Sequence, residues 1–193
     1  MNKTIAKVGF APLTFGSDST ESYDDVKWFD SKKGGGREVT ADPNGESFKI
    51  YADGIPAVSG EDNAGYNIKL QLIAILDYLH IDWFGFEKTA EGAIVEKADA
   101  KERPRFALFV AKERYNADTK YEVDIYLNCI VSKRPGRNDK TSEGKFDPQF
   151  PDIEISSEPR ISDKYIRITV YTDELPTEVP DVTTVPATPT GEE

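Results

Sequence analysis

Apolar and polar residues alternate along most segments of the chain that carry large apolar side chains. The longest alternating run is KYEVDIYLNCIVSK, residues 120–133. One face of this run carries Tyr121, Val123, Ile125, Leu127 and Cys129. Shorter alternating runs cover residues 48–52, 66–72 and 164–172, and residues 3–10 and 105–112 are further strand candidates. A period of two residues is typical of a β-strand with one buried face, so the pattern predicts a protein built mainly from strands.

One segment departs from the two-residue period. In LIAILDYLHI, residues 72–81, Ile73, Leu76 and Leu79 recur at three-residue spacing, and Gly85 follows. This spacing predicts a helix that packs one face on a neighbouring layer. Many short strands with one helix, at about residues 72–81, predict an antiparallel β-sandwich or barrel with one flanking helix.

Two polar segments and a terminal segment interrupt this pattern. Residues 14–47 are mostly polar, with a short strand favoured at 26–29, and they predict a long loop. Residues 133–151 are again rich in turn-forming residues. The last 21 residues hold four prolines, six acidic residues and no aromatic or basic residue. We therefore expect one domain, residues 1–172, and a flexible acidic Pro/Thr-rich tail, residues 173–193.

The stretch FKIYADGIPAVSGEDNAGYNIKLQL, residues 48–72, forms a strand–loop–strand unit. Its alternating ends flank a middle segment, residues 53–63, that is rich in turn-forming residues. The unit contains no nucleophile, metal-ligand cluster or phosphate-binding loop. Catalytic chemistry therefore does not explain why the chain contains this unit.

The charge of the chain narrows the classes of function. There are 35 acidic against 24 basic residues, a net charge of −11, whereas nucleic-acid binders usually carry the opposite sign. The single cysteine, Cys129, has no partner for an internal disulfide, which fits a reducing cytoplasm. No stretch approaches the ~20 apolar residues that a membrane helix needs, and no apolar core of a secretory signal follows the basic start.

Residues that could carry catalytic chemistry are few. The lysines and glycines of residues 32–36 lack the GK[ST] order of a phosphate loop and favour a flexible loop tip. His80 lies at the expected end of the helix and Cys129 on an apolar strand face, so both favour packing roles. We expect no catalytic residue, no metal and no cofactor. A carboxylate pair brought together from separate strands stays open.

Six short motifs stand in a distinctive order over about residues 5–172. They are Lys7-Val8-Gly9-Phe10, Tyr51-Ala52-Asp53-Gly54, residues 68–79 leading into Gly85, Pro104-Arg105-Phe106-Ala107-Leu108-Phe109, Thr141, and Ile153-Glu154-Ile155-Ser156-Ser157-Glu158-Pro159. This order resembles that of the major tail proteins, or tail tube proteins, of long, non-contractile-tailed bacteriophages (siphoviruses) of Gram-positive hosts. The long segment 14–47 and the acidic tail depart from the family's pattern.

The resemblance implies a non-enzymatic virion protein with a β-sandwich of the tail-tube type. Six copies would close into a ring around a lumen, and the rings would stack into a tube for DNA ejection. Double-stranded DNA would be present only in transit, without specific binding. The implied partners are the protein itself, the tape-measure protein, and the tail tip and terminator proteins, with no membrane. The protein would be made in the host bacterial cytoplasm and function in the tail tube of the virion.

The resemblance also suggests where copies meet. The loop of the 48–72 unit and the basic segment near residue 35 would contact neighbouring copies. The candidate assembly contacts are Lys32, Lys33, Arg37, Tyr51, Asp53 and Gly54. An acidic lumen would let DNA slide, because it offers no cations to the phosphates. The candidate lumen-lining residues are Glu122, Asp124 and Asn128.

A monomeric β-sandwich that binds a carbohydrate or a protein is the alternative. The candidate platform for such binding consists of exposed Trp28, Trp83, Tyr66 and Tyr126. Oligomeric state separates the two hypotheses, because a platform domain stays monomeric at any concentration. A hydrolase is the third and least supported class.

Overall fold

The computed structural model describes residues 4–17, 20–45, 47–52, 55–61, 63–98, 102–115, 117–136 and 150–182. These residues form thirteen strands and one helix. The strands are β1 (Ile5–Phe15), β2 (Glu21–Tyr23), β3 (Lys27–Trp28), β4 (Gly36–Pro43), β5 (Ser47–Ala52), β6 (Ile55–Glu61), β7 (Tyr66–Leu72), β8 (Glu87–Lys88), β9 (Ile94–Val95), β10 (Arg105–Glu113), β11 (Tyr121–Lys133), β12 (Asp152–Ser157) and β13 (Arg167–Thr172). The helix is α1 (Asp77–Asp82). The predicted mainly-β fold with one flanking helix is confirmed.

Nine of the described strands form one antiparallel sheet. Seven of them follow one another in the order β2-β1-β10-β11-β12-β7-β4, and β3 and β13 pair beside this path. Strand β3 pairs with β1 beside β2, and β13 pairs with the first half of β11. The second half of β11 pairs with β12 instead. The long strand β11 therefore joins two arms of the sheet, which diverge along its length.

The sheet curls around the larger of two apolar clusters. Phe10, Phe106 and Leu108 on one side of this cluster meet Ile68 and Leu70 on the other, and the side chains of α1 close one end. Strand β4 returns close to β1, but no strand ladder joins them. The fold is therefore a curled sandwich rather than a closed barrel.

The opposite face of β1, β10 and β11 carries the second apolar cluster. Strand β10 reads RFALFVAKE and is buried on both faces, as a near-continuous apolar run predicts. Its Ala107, Phe109 and Ala111 belong to this second cluster. Leu175 and Val179, which follow β13, pack against the same cluster.

This packing changes the expected boundary at residue 172. Residues 173–182, which we call the C-terminal strap, lie on the domain rather than forming part of a tail. The Trp28 indole Nε1–H donates a hydrogen bond to the Pro176 carbonyl oxygen (2.9 Å), and the Val26 amide donates to the Thr177 carbonyl oxygen (2.8 Å). Residues 183–193 of the expected tail lie outside the described residues.

The alternation expected for β11 stops at Asn128. This residue has a φ of +47°, and the register against β10 shifts at the same place, between Phe106 and Leu108. Such a bulge adds one residue and reverses the faces that follow it. Cys129 and Val131 consequently lie in the larger cluster, whereas Ile125 and Leu127 lie in the smaller. The prediction that Cys129 shares a face with Ile125 is wrong.

Two other expectations need correction. The helix covers residues 77–82 rather than 72–81, because Leu72 still belongs to β7 and is buried as its last inward-facing residue. Residues 14–47 are not one long loop, since they contain β2, β3 and β4. The short strand expected at 26–29 is present as β3.

Candidate functional site

The stretch 48–72 divides into a two-stranded ribbon and strand β7, which belongs to the curled sheet. Strands β5 and β6 pair with each other in their own two-stranded sheet, with Ser47 opposite Glu61 and Ala52 opposite Ile55. The segment expected to be a loop thus contains strand β6. We call residues 47–61 the ribbon; its side chains, including that of Tyr51, are not described, and Asp53 and Gly54 lie outside the described residues.

The ribbon continues the ladder between two strands of the sheet. Strand β4 pairs with β7 up to the Pro43–Tyr66 pair. Two backbone hydrogen bonds then close the junction, from the Asn44 amide to the Gly65 carbonyl oxygen (2.8 Å) and from the Ala64 amide to the Asn44 carbonyl oxygen (3.0 Å). The ribbon therefore starts from a fixed base. At about 3.4 Å per residue, six paired residues extend roughly 20 Å.

The basic segment before β4 is a packed turn rather than a flexible loop tip. The amides of Lys33 and Gly34 donate hydrogen bonds to the Asp30 carbonyl oxygen (3.1 and 2.9 Å). A Cβ on Gly34 would overlap the Leu76 side chain, and a Cβ on Gly36 would overlap Val8. The glycines therefore permit close approach of the chain to the core, while Lys32 and Lys33 stay exposed.

The candidate lumen-lining residues of β11 differ in their exposure. Glu122 is half-buried, but Asp124 and Asn128 are only 4% and 3% exposed. Asp124 accepts hydrogen bonds from the Lys112 ammonium and from the Thr169 hydroxyl (2.8 Å). We therefore withdraw Asp124 and Asn128 as lumen-lining candidates, because polar partners inside the subunit satisfy both. Glu122 stays a candidate.

Asn128 lies at the centre of a network that the sequence did not reveal. Arg105 donates from Nη1 to Asn128 Oδ1 (2.8 Å) and to Glu158 Oε2 (2.7 Å), and Asn128 Nδ2 donates to the Pro159 carbonyl oxygen (3.1 Å). The network joins the motif that contains Arg105 to the motif that ends at Pro159. In the sequence, the asparagine between Leu127 and Cys129 was the only available signal of a bulge.

The residues with potential catalytic chemistry occupy packing positions. His80 lies against the rings of Phe84 and Phe86, with centroids 5.5 and 5.6 Å away. Burial raises the pKa of the Cys129 thiol to about 12, so that the thiolate is not formed at neutral pH. Among the described residues, no group of three or more His, Cys, Asp or Glu side chains is placed to hold a metal ion.

The aromatic platform of the alternative hypothesis is not exposed. Trp83 is fully buried and stacks on Phe106, with ring centroids 4.5 Å apart. Tyr126 is 5% exposed, and the Trp28 indole is held by the C-terminal strap. Tyr66 packs edge-to-face on Tyr126, with ring centroids 5.2 Å apart, so these rings stabilise the fold.

No protein-family model matches the chain, and no curated protein sequence matches it. None of the helices within the described ranges has the length and apolar character to cross a membrane. The functional interpretation therefore depends on the geometry of the ribbon and the sheet, together with the order of the motifs.

Proposed function

We propose that the chain is a non-enzymatic structural subunit of a phage tail tube. Copies close into hexameric rings, and the rings stack into a tube through which double-stranded DNA leaves the virion. The ribbon carries this proposal, because it extends from the sheet and pairs with no strand of the nine-stranded sheet. The tape-measure, tail tip and terminator proteins are its proposed partners.

The energetics of a two-stranded ribbon favour contact with another copy. A hairpin of two strands is marginally stable in water, because each strand lacks a second neighbour and a covering layer. Its outer edges also carry unpaired amides and carbonyls, which serve as templates for further pairing. A neighbouring subunit that covers the ribbon removes both deficits. This explains the presence of the unit in a chain without catalytic chemistry.

The order of the motifs and the contact between two of them support the same function. Arg105 and Glu158, which stand in two of the motifs on which the resemblance rests, meet at Asn128. Their contact fixes the bulge at which the two arms of the sheet diverge. The resemblance and the core architecture therefore involve the same residues.

The charge of the chain is compatible with passage of DNA without retention. A net charge of −11, repeated six times around a ring, gives an acidic assembly. DNA carries about one negative charge per 1.7 Å, so an acidic lumen does not hold its phosphates. Glu122 is the candidate lumen-lining residue that remains.

Removal of the ribbon tests the proposal. Residues 46–62 are replaced by a two-residue turn. This replacement is feasible because the hydrogen bonds of Asn44 with Gly65 and with Ala64 already close the ladder at the base of the ribbon. We expect rings or tubes from the full chain in negative-stain electron microscopy and monomers from the variant. The thermal midpoint of the variant should match that of the full chain.

A second hairpin offers a matched control. Strands β8 and β9 also form a two-stranded sheet, but the ion pair of Glu96 with Arg134 ties it to the domain. Their connection at residues 89–93 is shortened in the control. This variant should still assemble. A full chain that stays monomeric at every concentration and salt would overturn the proposal.

A further inference from the structure

A cleft of about 530 Å³ opens between β4 on one side and β10, β11 and β13 on the other. Its charged lining consists of Arg37, Lys112, Arg167, Glu38 and Asp124. Three cations against two carboxylates make this cleft locally positive in a chain whose net charge is −11. The cleft therefore differs in sign from the rest of the molecule.

One of the three cations is neutralised inside the cleft. The Lys112 ammonium forms an ion pair with Asp124, whose side chain is 6% exposed. The other carboxylate oxygen of Asp124 accepts the hydrogen bond of Thr169. This pair forms a satisfied floor, so that Arg37, Arg167 and Glu38 carry the remaining charge of the lining.

An aromatic ring lies close to each of the two arginines. The Arg37 guanidinium carbon lies 4.1 Å from the centroid of the Phe150 ring, and that of Arg167 lies 5.5 Å from the centroid of Tyr66. Neither arginine has an ion pair with a described residue. Contact through the planar face keeps the N–H groups at the edge available for hydrogen bonds.

In another cleft, the basic side chains are neutralised by ion pairs. Near α1, Arg134 also lies over an aromatic ring, that of Phe86, at 5.1 Å. There, however, Arg134 is paired with Glu96 (2.6 Å) and Lys97 with Glu87 (2.6 Å). Arg37 and Arg167 in the other cleft, by contrast, form no ion pair with a described residue, although the charge of Asp124 acts on Arg167.

We propose that the cleft of Arg37 and Arg167 binds a carboxylate side chain from an acidic segment of a second copy of this chain. This inference rests on the proposed function for the identity of the partner. Two guanidinium forks match the planar geometry of carboxylates. The 35 acidic residues of each copy supply such groups in excess.

The Tyr126 hydroxyl completes the set of donors. Tyr126 and Arg167 line the same cleft. Burial raises the pKa of Tyr126 to about 12, so the hydroxyl keeps its proton at neutral pH and can donate it. The lining thus offers Arg37, Arg167 and Tyr126 as donors to a carboxylate in the cleft.

Binding of a defined peptide to the full chain tests the cleft directly. The probe is an acetylated, amidated tetraglutamate peptide at low ionic strength, with a tetraglutamine peptide and inorganic phosphate as comparisons. We expect a Kd for tetraglutamate that rises about tenfold or more in the double variant Arg37→Gln, Arg167→Gln, from the loss of charge-assisted hydrogen bonds. Tetraglutamine should not bind.

Arg114→Gln is the matched control. Arg114 also lies over a tyrosine ring, 4.7 Å from the centroid of Tyr171, but outside the cleft. Its substitution should leave the Kd unchanged. If the double variant fails to fold, Arg37→Lys, Arg167→Lys keeps the charges, loses the fork geometry and should still weaken binding. Equal binding by the control and either double variant, or binding of phosphate without binding of tetraglutamate, would overturn the inference.

Assembly provides an independent readout. The double Gln variant should need an about tenfold higher concentration to form rings or tubes than Arg114→Gln. Peptide binding by a chain that never assembles would contradict the proposed function and the second copy as partner, but keep the carboxylate site. Normal assembly of the double variant, despite its loss of peptide binding, would reject the cleft as a contact between copies and keep the tail-tube proposal.

Discussion

Gly65 joins the ribbon to the sheet at a point where only glycine fits. Its φ is +146°, and a Cβ on this residue would overlap the Ser157 carbonyl oxygen. We expect Gly65→Ala to lower the free energy of unfolding by about 3 kcal/mol or more, because backbone strain and overpacking add. Urea unfolding followed by circular dichroism measures this change.

The same substitution at Gly136 separates the effect of backbone strain and overlap from the effect of replacing a glycine. A Cβ on Gly136 would meet no atom within 4 Å. Gly136→Ala should therefore change the free energy of unfolding by less than about 0.5 kcal/mol. Similar effects of the two substitutions would show that the close approach of Gly65 to Ser157 does not limit stability.

Asp124 links stability to pH through a buried ion pair. Burial alone would raise its pKa, but hydrogen bonds from Lys112 and Thr169 and the charges of Lys112 and Arg167 outweigh burial and hold the pKa below the ordinary 3.8. A lowered folded-state pKa stabilises the fold above the ordinary pKa, and this contribution is lost as pH falls through the folded value. Acid should therefore weaken the fold below about pH 3.8.

The substitution Asp124→Asn removes this contribution. We expect a loss of about 1–3 kcal/mol at neutral pH, because Lys112 keeps a partly buried charge without its partner. The difference from the wild type should shrink as pH falls below 3.8. Glu154→Gln is the control, since its pair with Lys133 is exposed and is worth less than about 1 kcal/mol. A pH-independent difference would contradict this assignment.

At the scale of elements, the C-terminal strap is predicted to stabilise the domain. A chain that ends after residue 174 loses the apolar contacts of Leu175 and Val179 and the two hydrogen bonds to Trp28 and Val26. We expect the free energy of unfolding to fall by about 2–4 kcal/mol. A chain that ends after residue 182 keeps the strap and should match the full chain. Equal thermal midpoints for both truncations would show that the strap adds nothing.

Alternation located the strands whose apolar faces are buried locally. Strands β7, β10, β11 and β13 follow the predicted segments closely, because a two-residue period requires only that one face meets a core. Strand β4 was missed, since REVTADP is exposed along one edge and its apolar residues are small or few. Strand β6 was missed because IPAVSGE contains Pro and Gly, which are typical of turns.

Long-range packing set the features that the sequence did not reveal. The glycines at residues 34–36 look like a flexible loop, yet their role depends on Leu76 and Val8, which are distant in sequence. Val179 looks like part of a tail until the alanines of the second cluster provide a surface for it. Asp124 looks exposed on a polar strand face, but Lys112 of β10 and Thr169 of β13, on the two flanking strands, cover its carboxylate.

At the scale of the whole molecule, the candidate contacts fall into separate regions. Lys32 and Lys33 lie on a packed turn, Arg37 faces the charged cleft, and Tyr51 belongs to the ribbon. The sequence could indicate these residues one by one, since each is basic, aromatic or near a turn. It could not indicate that Arg37 and Arg167 line one cleft, because β4 and β13 come together only through the curl of the sheet.

The net charge predicts whether the protein binds duplex DNA. Affinity for duplex DNA comes mainly from lysines and arginines that release counterions, and here acidic residues exceed basic ones by 11. Arg37 and Arg167 do not alter this expectation, because a narrow cleft with two carboxylates cannot follow a phosphate backbone. We expect no retention of a fluorescent 30-base-pair duplex at about 50 mM salt by monomers or by tubes, while a basic control protein binds it. Micromolar affinity that falls steeply with salt would show a cationic DNA-binding surface and would contradict a conduit in which DNA only passes.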